Sequence, residues 1–381
     1  MTNLNPSNDS AQSAVRSLAH RLRIEVLEPL KQSFVGKDEI IDLLGVGLVA
    51  RENLFMLGPP GTAKSALVQS LARRIAGRVF DYLLTRFTEP NEIFGPFDIR
   101  KLREGELETN TNGMLPEADF VFLDELLNAN SAILNSLLLV LNERVFRRGR
   151  ETRALPTLMV VGASNQLPED EALGALFDRF LIRVNCRNVA DENLGEVLAA
   201  GWRMDANNDV QPVSMTAEDL RGLQRLVPSV SLDGLRNQYV ELVVKLRNAG
   251  VKISDRRAVK LQRLIAASAL LCGRLQPNLT DLWVLRYIWD TEDEQELLAS
   301  LVSQALESSS EEDKAVGHPR SLVTEAPDGE QLAADLAQAA NMLAATDAGS
   351  RSALRDRLTQ LTARCQWVVD SQQRSFLEAK V

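Results

Sequence analysis

The sequence is poor in the residue types on which many catalytic and structural sites depend. Its 381 residues include three cysteines and two histidines. Cys186, Cys272 and Cys365 have no ligand-like spacing, which argues against a disulfide scaffold and favours reduced thiols. His20 and His318 lie far apart in the chain, so a histidine-based zinc site or a Ser-His-Asp triad is disfavoured.

Long apolar runs and an excess of positive charge are also missing. Runs such as LIAASALLC are too short to cross a bilayer, and the polar start MTNLNPSNDS lacks the apolar core of a signal peptide. The net charge of −9 argues against broad binding to a nucleic-acid backbone, although it leaves room for a local basic groove. We therefore expect a cytoplasmic protein without a membrane span, and a nucleic-acid partner is disfavoured.

The first half of the chain does contain short apolar runs of strand length. They are bounded by Gly, Pro, Asn or charged residues and separated by amphipathic stretches: NLFMLG, VFDYLLT, FVFLDE, TLMVVGAS and RFLIRVNC. Continuous apolar strands that alternate with helices are typical of a parallel sheet covered on both faces. We predict an α/β domain with a five-stranded parallel sheet over residues 1–205.

The rest of the chain has the spacing of helices. Apolar residues recur every three or four positions between Asp219 and Val227, between Leu235 and Arg247, and between Arg257 and Leu271. Ser254 is a plausible N-cap of the third helix. We predict a helical domain over residues 206–308, a Ser-, Pro- and Gly-rich linker over 309–329, and a short helical hairpin as a tail over 330–381.

The first of these strands leads into a phosphate-binding loop. LFMLGPPGTAKSALVQSLA follows the pattern G-x-x-x-x-G-K-[ST], except that Ala63 stands in place of the second glycine. Such a loop points backbone N–H groups at phosphate oxygens, and the helix that follows turns its positive end towards the anion. We predict an ATP site formed by Gly58, Pro59, Pro60, Gly61, Thr62, Ala63, Lys64, Ser65 and Ala66.

Two side chains of this loop have specific predicted tasks. Lys64 is expected to reach the β- and γ-phosphates, and the Ser65 hydroxyl is expected to bind Mg²⁺. Ala63 is permitted if its backbone is right-handed and helical, and only a left-handed conformation would penalise its methyl group.

Polar residues follow two later strands. FVFLDE ends in Asp124 and Glu125, and TLMVVGAS is followed by Asn165. An acidic pair can be only the solvated start of a helix, but the carboxyl ends of parallel strands meet at one edge, where ligands bind. We predict that Asp124 holds Mg²⁺, that Glu125 activates the attacking water and that Asn165 orients it.

With these motifs in place, the chain resembles an AAA+ ATPase of the MoxR family, and most closely its RavA-type branch. The resemblance covers roughly residues 20–300 and rests on GPPGTAKS, on the stretch from IFGPFDIRKLREGE to FVFLDE, and on ILNSLLLVLNERVFRRG, GASNQLPED and LFDRFLIRV. The family commonly carries Ala-Lys in its phosphate loop. Ala63 is therefore better explained as a family trait than as decay of the motif.

The resemblance implies further residue roles. Val35 and Gly36 of FVGKDE would line the adenine pocket, and Asn165 would be the first sensor. Arg179 of FDRF would be an arginine finger for the neighbouring subunit, which implies a homohexamer. Arg256 of SDRRAVK, at the start of a lid helix, would be the second sensor.

Several points stay open in the sequence. Arg257 is the alternative to Arg256, and an intrachain salt bridge with Asp178 or another acidic residue is the alternative role for Arg179. The basic stretch ERVFRRGRETR could line a pore or meet an acidic client, or it could be a solvated hairpin or an intersubunit ion-pair surface. RavA-type proteins carry a long carboxy-terminal extension with a β-rich module, which the predicted helical tail does not resemble.

The resemblance also implies a function. MoxR proteins resemble chaperones that mature or remodel a protein client, usually with a partner that contains a von Willebrand A (vWA) domain. A metal-chelatase motor subunit is the first alternative. A DNA-remodelling motor and a non-hydrolysing nucleotide-gated scaffold are weaker alternatives, because the chain is acidic and every hydrolytic position is filled.

Overall fold

The computed structural model describes residues 15–104, 107–148, 151–168, 171–206 and 213–322, together with the single positions 333 and 336. The chain divides into two compact units, Met1–Leu322 and Val323–Val381. The predicted core and helical domain therefore form one unit. Apart from the two single positions, the predicted tail hairpin lies outside the described residues, as does the carboxy-terminal part of the predicted linker.

Seven strands are described, five of which form the central sheet. They are β1 Asn53–Leu57, β2 Val79–Leu83, β3 Phe120–Asp124, β4 Val145–Arg148, β5 Glu151–Ala154, β6 Met159–Ser164 and β7 Phe180–Asn185. The sheet has the order β2-β3-β6-β1-β7, and every neighbouring pair in it is parallel. The predicted five-stranded parallel sheet is confirmed. β4 and β5 pair separately as an antiparallel hairpin.

The strands at the centre of the sheet are mostly apolar and are covered by other elements. All five residues of β1 are buried, as are all six of β6. Phe55 of β1 packs edge-to-face on Phe177 and Phe180, with ring centroids 4.9 and 5.7 Å apart. Such aromatic pairs add to the burial of apolar area and fix the position of β7 against β1.

The helices of the first 206 residues connect and cover the strands. They are α1 (residues 15–20), a π-helical stretch Arg21–Leu27, α2 Glu28–Ser33, α3 Asp38–Ala50, α4 Lys64–Arg74, α5 Pro90–Phe94, α6 Ile99–Arg103, α7 Ser131–Glu143, α8 Glu171–Phe177 and α9 Leu194–Ala206, with 3₁₀ turns at Leu115–Glu117, Leu126–Asn128 and Asp191–Asn193. Asn130 caps α7 by accepting hydrogen bonds from the N–H groups of Ala132 and Ile133.

A helical lid follows, as predicted. It contains α10 Ala217–Leu226, α11 Arg236–Asn248, α12 Asp255–Leu271 and α13 Glu292–Glu307, with 3₁₀ segments at Val227–Ser229 and Leu279–Tyr287. The predicted N-cap is confirmed, since the Ser254 hydroxyl accepts from the Arg257 N–H. Within the described ranges, no helix is both long and apolar enough to span a membrane.

The lid is held on the core by hydrogen bonds to the carboxyl end of α3. Arg263 of α12 donates to the Ala50 carbonyl at 3.0 and 3.1 Å, and Gln224 of α10 donates to the Leu48 carbonyl at 2.7 Å. The last carbonyls of a helix have no partner inside the helix, and a cation is favoured there. These contacts fix the end of α3 that lies beneath α12.

Residues 309–322 differ from the predicted linker. They contain α14 Glu311–Val316 and a 3₁₀ turn Pro319–Ser321. Ser310 caps α14, and Arg320 binds Asp42 of α3 at 2.9 Å. The serine and proline that suggested a linker therefore serve as helix-starting residues.

Candidate functional site

The phosphate-binding loop lies between β1 and α4, and its conformation requires glycine at two positions. A Cβ on Gly58 would lie 2.1 Å from the Cys186 carbonyl oxygen, so only glycine fits against the end of β7. Gly61 has a φ of +83°, a conformation that glycine adopts without strain. The Gly58 N–H donates to the Ser164 carbonyl at 2.9 Å, which ties the loop to the end of β6.

Lys64 begins α4 and closes the loop. The residue is 6% exposed, and its ammonium donates to the Gly58 and Pro59 carbonyls at 2.8 and 2.9 Å. Ser65 follows at the second position of α4, and Thr62 donates to the Pro59 carbonyl at 3.0 Å. A cation and the amino end of a helix thus lie together beside an exposed loop, which suits a phosphate group.

Ala63 is in the conformation that penalises alanine. Its φ and ψ are 65° and 24°, in the left-handed region. The right-handed backbone that would have made alanine neutral at this position is therefore not observed. Strained backbone of this kind is found at functional sites, where the surrounding structure holds it in place.

We expect Ala63→Gly to stabilise the protein. Removing the methyl group relieves left-handed strain of about 1–2 kcal/mol, partly offset by the freedom that glycine adds to the unfolded chain. Because the residue is exposed, no packing is lost. The free energy of unfolding in guanidinium should rise by about 0.5–1 kcal/mol.

Ala66→Gly is the matched control, since Ala66 is exposed in the same helix on right-handed backbone. That change should lower the free energy of unfolding by about 0.5–1 kcal/mol. Two substitutions that destabilise the protein equally would contradict the left-handed assignment of Ala63.

Asp124 and Glu125 lie at the carboxyl end of β3, two strands from the loop. The Asp124 carboxylate accepts from the Glu125 N–H at 3.0 Å, and Glu125 has a left-handed backbone with a φ of 49°. Burial and the neighbouring Asp124 carboxylate raise the pKa of Glu125, while Lys64 lowers it. The influence of Lys64 means that the loop and the acidic pair share one electrostatic environment.

Asn165 directly follows β6, the strand between β3 and β1. Register pairs Ser164 with Leu57 at the end of β1, and Leu123 of β3 with Gly162. Asn165 is exposed at this edge, beside the strand ends that carry the acidic pair and the loop. The structure therefore brings the loop, Asp124, Glu125 and Asn165 to the same edge of the sheet.

Val35 and Gly36 lie in the turn before α3. The following residue, Lys37, donates its ammonium to the Arg187 carbonyl, just after β7. Cys186 is the residue whose backbone packs against Gly58. The turn and the phosphate loop thus meet the same segment after β7, which is compatible with the predicted adenine pocket.

Arg179 lies apart from this group, at the amino end of β7. Phe180 pairs with Asn53, at the start of β1, whereas the loop follows the end of β1. About 13 Å of strand therefore separates Arg179 from the loop of its own chain. Among the described residues Arg179 has no ion pair, its Nε is buried without a hydrogen-bond partner, and Asp178 instead lies 3.9 Å from Arg183.

The two candidate sensors in α12 have different surroundings. Arg257 is bound to Asp290 at 2.8 Å and donates to the Lys252 and Ile288 carbonyls. Arg256 is exposed, and no side-chain hydrogen bond or ion pair is found for it within the described ranges. Arg256 is therefore the residue of the two whose guanidinium is available for a ligand.

The basic hairpin makes contacts within the chain. Arg148 of β4 donates to the Gly95 carbonyl at 2.7 Å and to the Asn91 side chain at 2.6 Å, and it lies over the Phe97 ring at 4.0 Å. Arg153 of β5 donates to the Thr111 hydroxyl at 3.0 Å. These two arginines hold the hairpin against α5 and the segment that follows it, so they serve the fold.

Sequence reasoning missed Arg183 and Asp290, which join β7 to the lid. The one arginine inside the mostly apolar strand FLIRVN was the available signal, because a charge buried in a strand requires a partner. Nothing near Asp290 in the sequence marked it as that partner.

Comparisons with known proteins agree with this architecture. The family model described as the MoxR domain in the MoxR-vWA-beta-propeller ternary systems matches residues 20–225, and the model of an AAA lid domain matches residues 231–302. A crystal structure of a Cytophaga hutchinsonii protein named as a candidate ATPase has a TM-score of 0.65 and covers 80% of this chain and 99% of its own. At 20% identity that likeness shows the fold alone.

Two curated relatives show the same similarity in sequence. An uncharacterized protein of Methanocaldococcus jannaschii is 35% identical over 274 residues, which is 71% of this chain and 72% of the relative. A Mycobacterium tuberculosis protein named chaperone MoxR1 is 27% identical over 246 residues, 63% of either chain. The phosphate loop, the parallel sheet, the lid and these matches lead to one conclusion: the chain belongs to the MoxR family of AAA+ ATPases.

Proposed function

We propose that this protein is a Mg²⁺-dependent ATP-hydrolysing ring motor that remodels or matures a protein client. The observation that carries the proposal is the shared edge of the sheet, where the Lys64 loop, Asp124, Glu125 and Asn165 lie together. Phosphoryl transfer requires mainly positioning and electrostatic stabilisation, and this edge supplies a cation, a helix amino end and two carboxylates.

Each residue has a role in this proposal. Lys64 would leave the loop carbonyls to bind phosphate oxygens, and Ser65 and Asp124 would hold Mg²⁺, which would neutralise charge on those oxygens. Glu125 accepts a proton from the attacking water, and Asn165 orients that water. Burial and Asp124 raise the pKa of Glu125, which brings the carboxylate closer to the basicity that suits a general base at neutral pH.

The remote position of Arg179 supports a ring. It lies at the opposite end of the sheet from its own loop, and its carbonyl is fixed by Asn53 at 3.0 Å. An arginine placed there can complete the site of an adjacent protomer, and a closed ring of such interfaces is a homohexamer in this proposal. Arg256 approaches the phosphates of its own protomer from the lid.

The partner and client in this proposal follow from the family. The matched model is named for systems that combine MoxR, vWA and β-propeller components, and one relative is named a chaperone. We infer a partner with a vWA domain and a protein client on which the assembly acts. The likeness to the RavA-type branch remains a prediction from the motifs, as does a cytoplasmic location.

Affinity capture with Glu125→Gln tests this function. The substitution keeps the size of the side chain but removes the carboxylate base, so the variant should hold ATP and retain the loaded assembly. With Mg²⁺ and ATP present, a vWA-domain protein should be enriched among the captured proteins at least about tenfold over the nucleotide-free sample.

Two results would contradict the proposal. One is a Glu125→Gln protein that stays monomeric and captures the same proteins with and without ATP. The other is equal enrichment on Glu241→Gln, a control that makes the same substitution on an exposed glutamate of α11 and leaves the Glu125 carboxylate in place.

A further inference from the structure

The side chain of Arg183 lies wholly inside the protein, in the middle of β7. It is 0% exposed and donates to the carbonyls of Trp289 at 2.6 Å, Ile288 at 3.2 Å and Phe177 at 3.2 Å. It also donates to the Asp290 carboxylate. A strand of the core is thus joined to the segment of the lid that precedes α13.

A guanidinium in this position is costly. Burial lowers the pKa of Arg183 to about 10, and its Nε has no hydrogen-bond partner among the described residues. The Phe177 ring, 4.1 Å from the guanidinium carbon, offsets part of the lost hydration. An apolar side chain of similar length would fill this space without that cost, so packing alone does not account for arginine here.

The two carboxylate oxygens of Asp290 accept hydrogen bonds from different parts of the protein, one from the core and one from the lid. Oδ1 accepts from Arg183 of β7, and Oδ2 accepts from Arg257 of α12 at 2.8 Å. Arg257 also donates to Ile288, whose carbonyl is shared with Arg183. One carboxylate and one carbonyl therefore fix the amino end of α12 against β7.

The amino end of α12 is where Arg256 is placed. Arg257, its neighbour, is turned inward by Asp290, and adjacent helical residues point in different directions. Holding Arg257 in the network therefore sets the rotation of α12 that leaves Arg256 exposed. If the network is broken, Arg256 keeps its chemistry but loses its fixed position.

We propose that Arg183 and Asp290 are positioning residues for ATP hydrolysis, which hold α12 through Arg257 so that Arg256 meets the phosphates of the same protomer. This inference rests on the proposed function. It adds that a buried ion-pair network anchored in β7 fixes the orientation of α12 in the lid. Arg183 then acts through Arg256 rather than on the nucleotide itself.

A double-mutant cycle tests whether Arg183 acts through Arg256. Arg183→Met keeps the side-chain length and leaves Asp290 paired with Arg257. We expect this change alone to lower kcat/KM for ATP by about 10- to 100-fold, because small displacements of a catalytic group have effects of that size. In the Arg256→Ala background, adding Arg183→Met should change kcat/KM by no more than about twofold.

The same four proteins can also be compared by the dissociation constant of a fluorescent ATP analogue, a measurement that requires no hydrolysis. Hydrogen exchange of the amides at residues 257–261, which are hydrogen-bonded in the first turns of α12, gives a third readout that needs no nucleotide, and it should accelerate at least about tenfold in Arg183→Met. Arg203→Met, which alters an exposed arginine of α9, should leave all three measurements unchanged.

The outcomes separate this inference from the proposed function. Two results would overturn the positioning role. One is a double variant whose fall in kcat/KM is the product of the falls in Arg183→Met and Arg256→Ala. The other is a folded Arg183→Met protein with normal kinetics. If the wild-type protein neither binds nor hydrolyses ATP, the proposed function fails. Hydrogen exchange at residues 257–261 then still decides whether Arg183 holds α12, and unchanged exchange would overturn that as well.

Discussion

Arg179→Ala should lower kcat for ATP hydrolysis by about 10³-fold, the effect expected when an arginine finger is removed. Its affinity for ATP should change little, because Arg179 is separated from the loop of its own chain by the length of β1. The guanidinium acts on charge that develops during transfer, so its loss affects the transition state more than the bound substrate. Phosphate release and equilibrium binding of a fluorescent ATP analogue provide the two measurements.

Arg203→Ala is the matched control for Arg179→Ala, since Arg203 is exposed on α9. It should retain wild-type kcat. A folded Arg179→Ala protein with wild-type turnover would remove the arginine-finger role. Equal losses in ATP affinity and kcat/KM would place Arg179 in ground-state binding instead.

Lys64→Ala should abolish the nucleotide site of the protomer that carries it. The ammonium is the cation at the amino end of α4, and it is held against the Gly58 and Pro59 carbonyls. Removing a preorganised donor from such a site costs about 10²–10³-fold in rate, and the lost charge adds a decrease in ATP affinity. We expect kcat/KM to fall by at least about 10³-fold.

The surface substitution Lys245→Ala controls for the loss of a lysine. Lys245 forms an exposed ion pair with Glu241 on α11, at 2.9 Å, and its removal should leave hydrolysis unchanged. Lys64→Ala protein that hydrolyses ATP within about threefold of the wild-type rate would exclude Lys64 from the phosphate site.

The sequence predicted much of the fold because its strongest signals are local. Each strand of the central sheet lies in a mostly apolar run bounded by turn residues, and all five were identified from that pattern. The loop and Asn165 directly follow such strands, and Asp124 is the last residue of one. Since parallel strands present their carboxyl ends at one edge, correct strands were sufficient to predict that these residues lie close together.

The features that were missed depend on contacts between distant parts of the chain. The left-handed backbone of Ala63 is imposed by the loop around it, and no residue type nearby signals it. The network of Arg183 and Asp290 joins residues 107 positions apart. The sequence left the role of the basic stretch around Arg148 and Arg153 open, because their partners Asn91, Thr111 and Glu117 lie far earlier in the chain.

Mixing the two inactive variants is the most direct test that one protomer supplies the phosphate loop and its neighbour the arginine. Lys64→Ala and Arg179→Ala proteins are combined in equal amounts under conditions that allow subunits to exchange, and ATP turnover is measured. In a random ring, one interface in four joins an intact Lys64 to an intact Arg179. The account therefore predicts recovery of about one quarter of the wild-type activity per protomer. A mixture no more active than the separate variants, although mixed rings form, would contradict it.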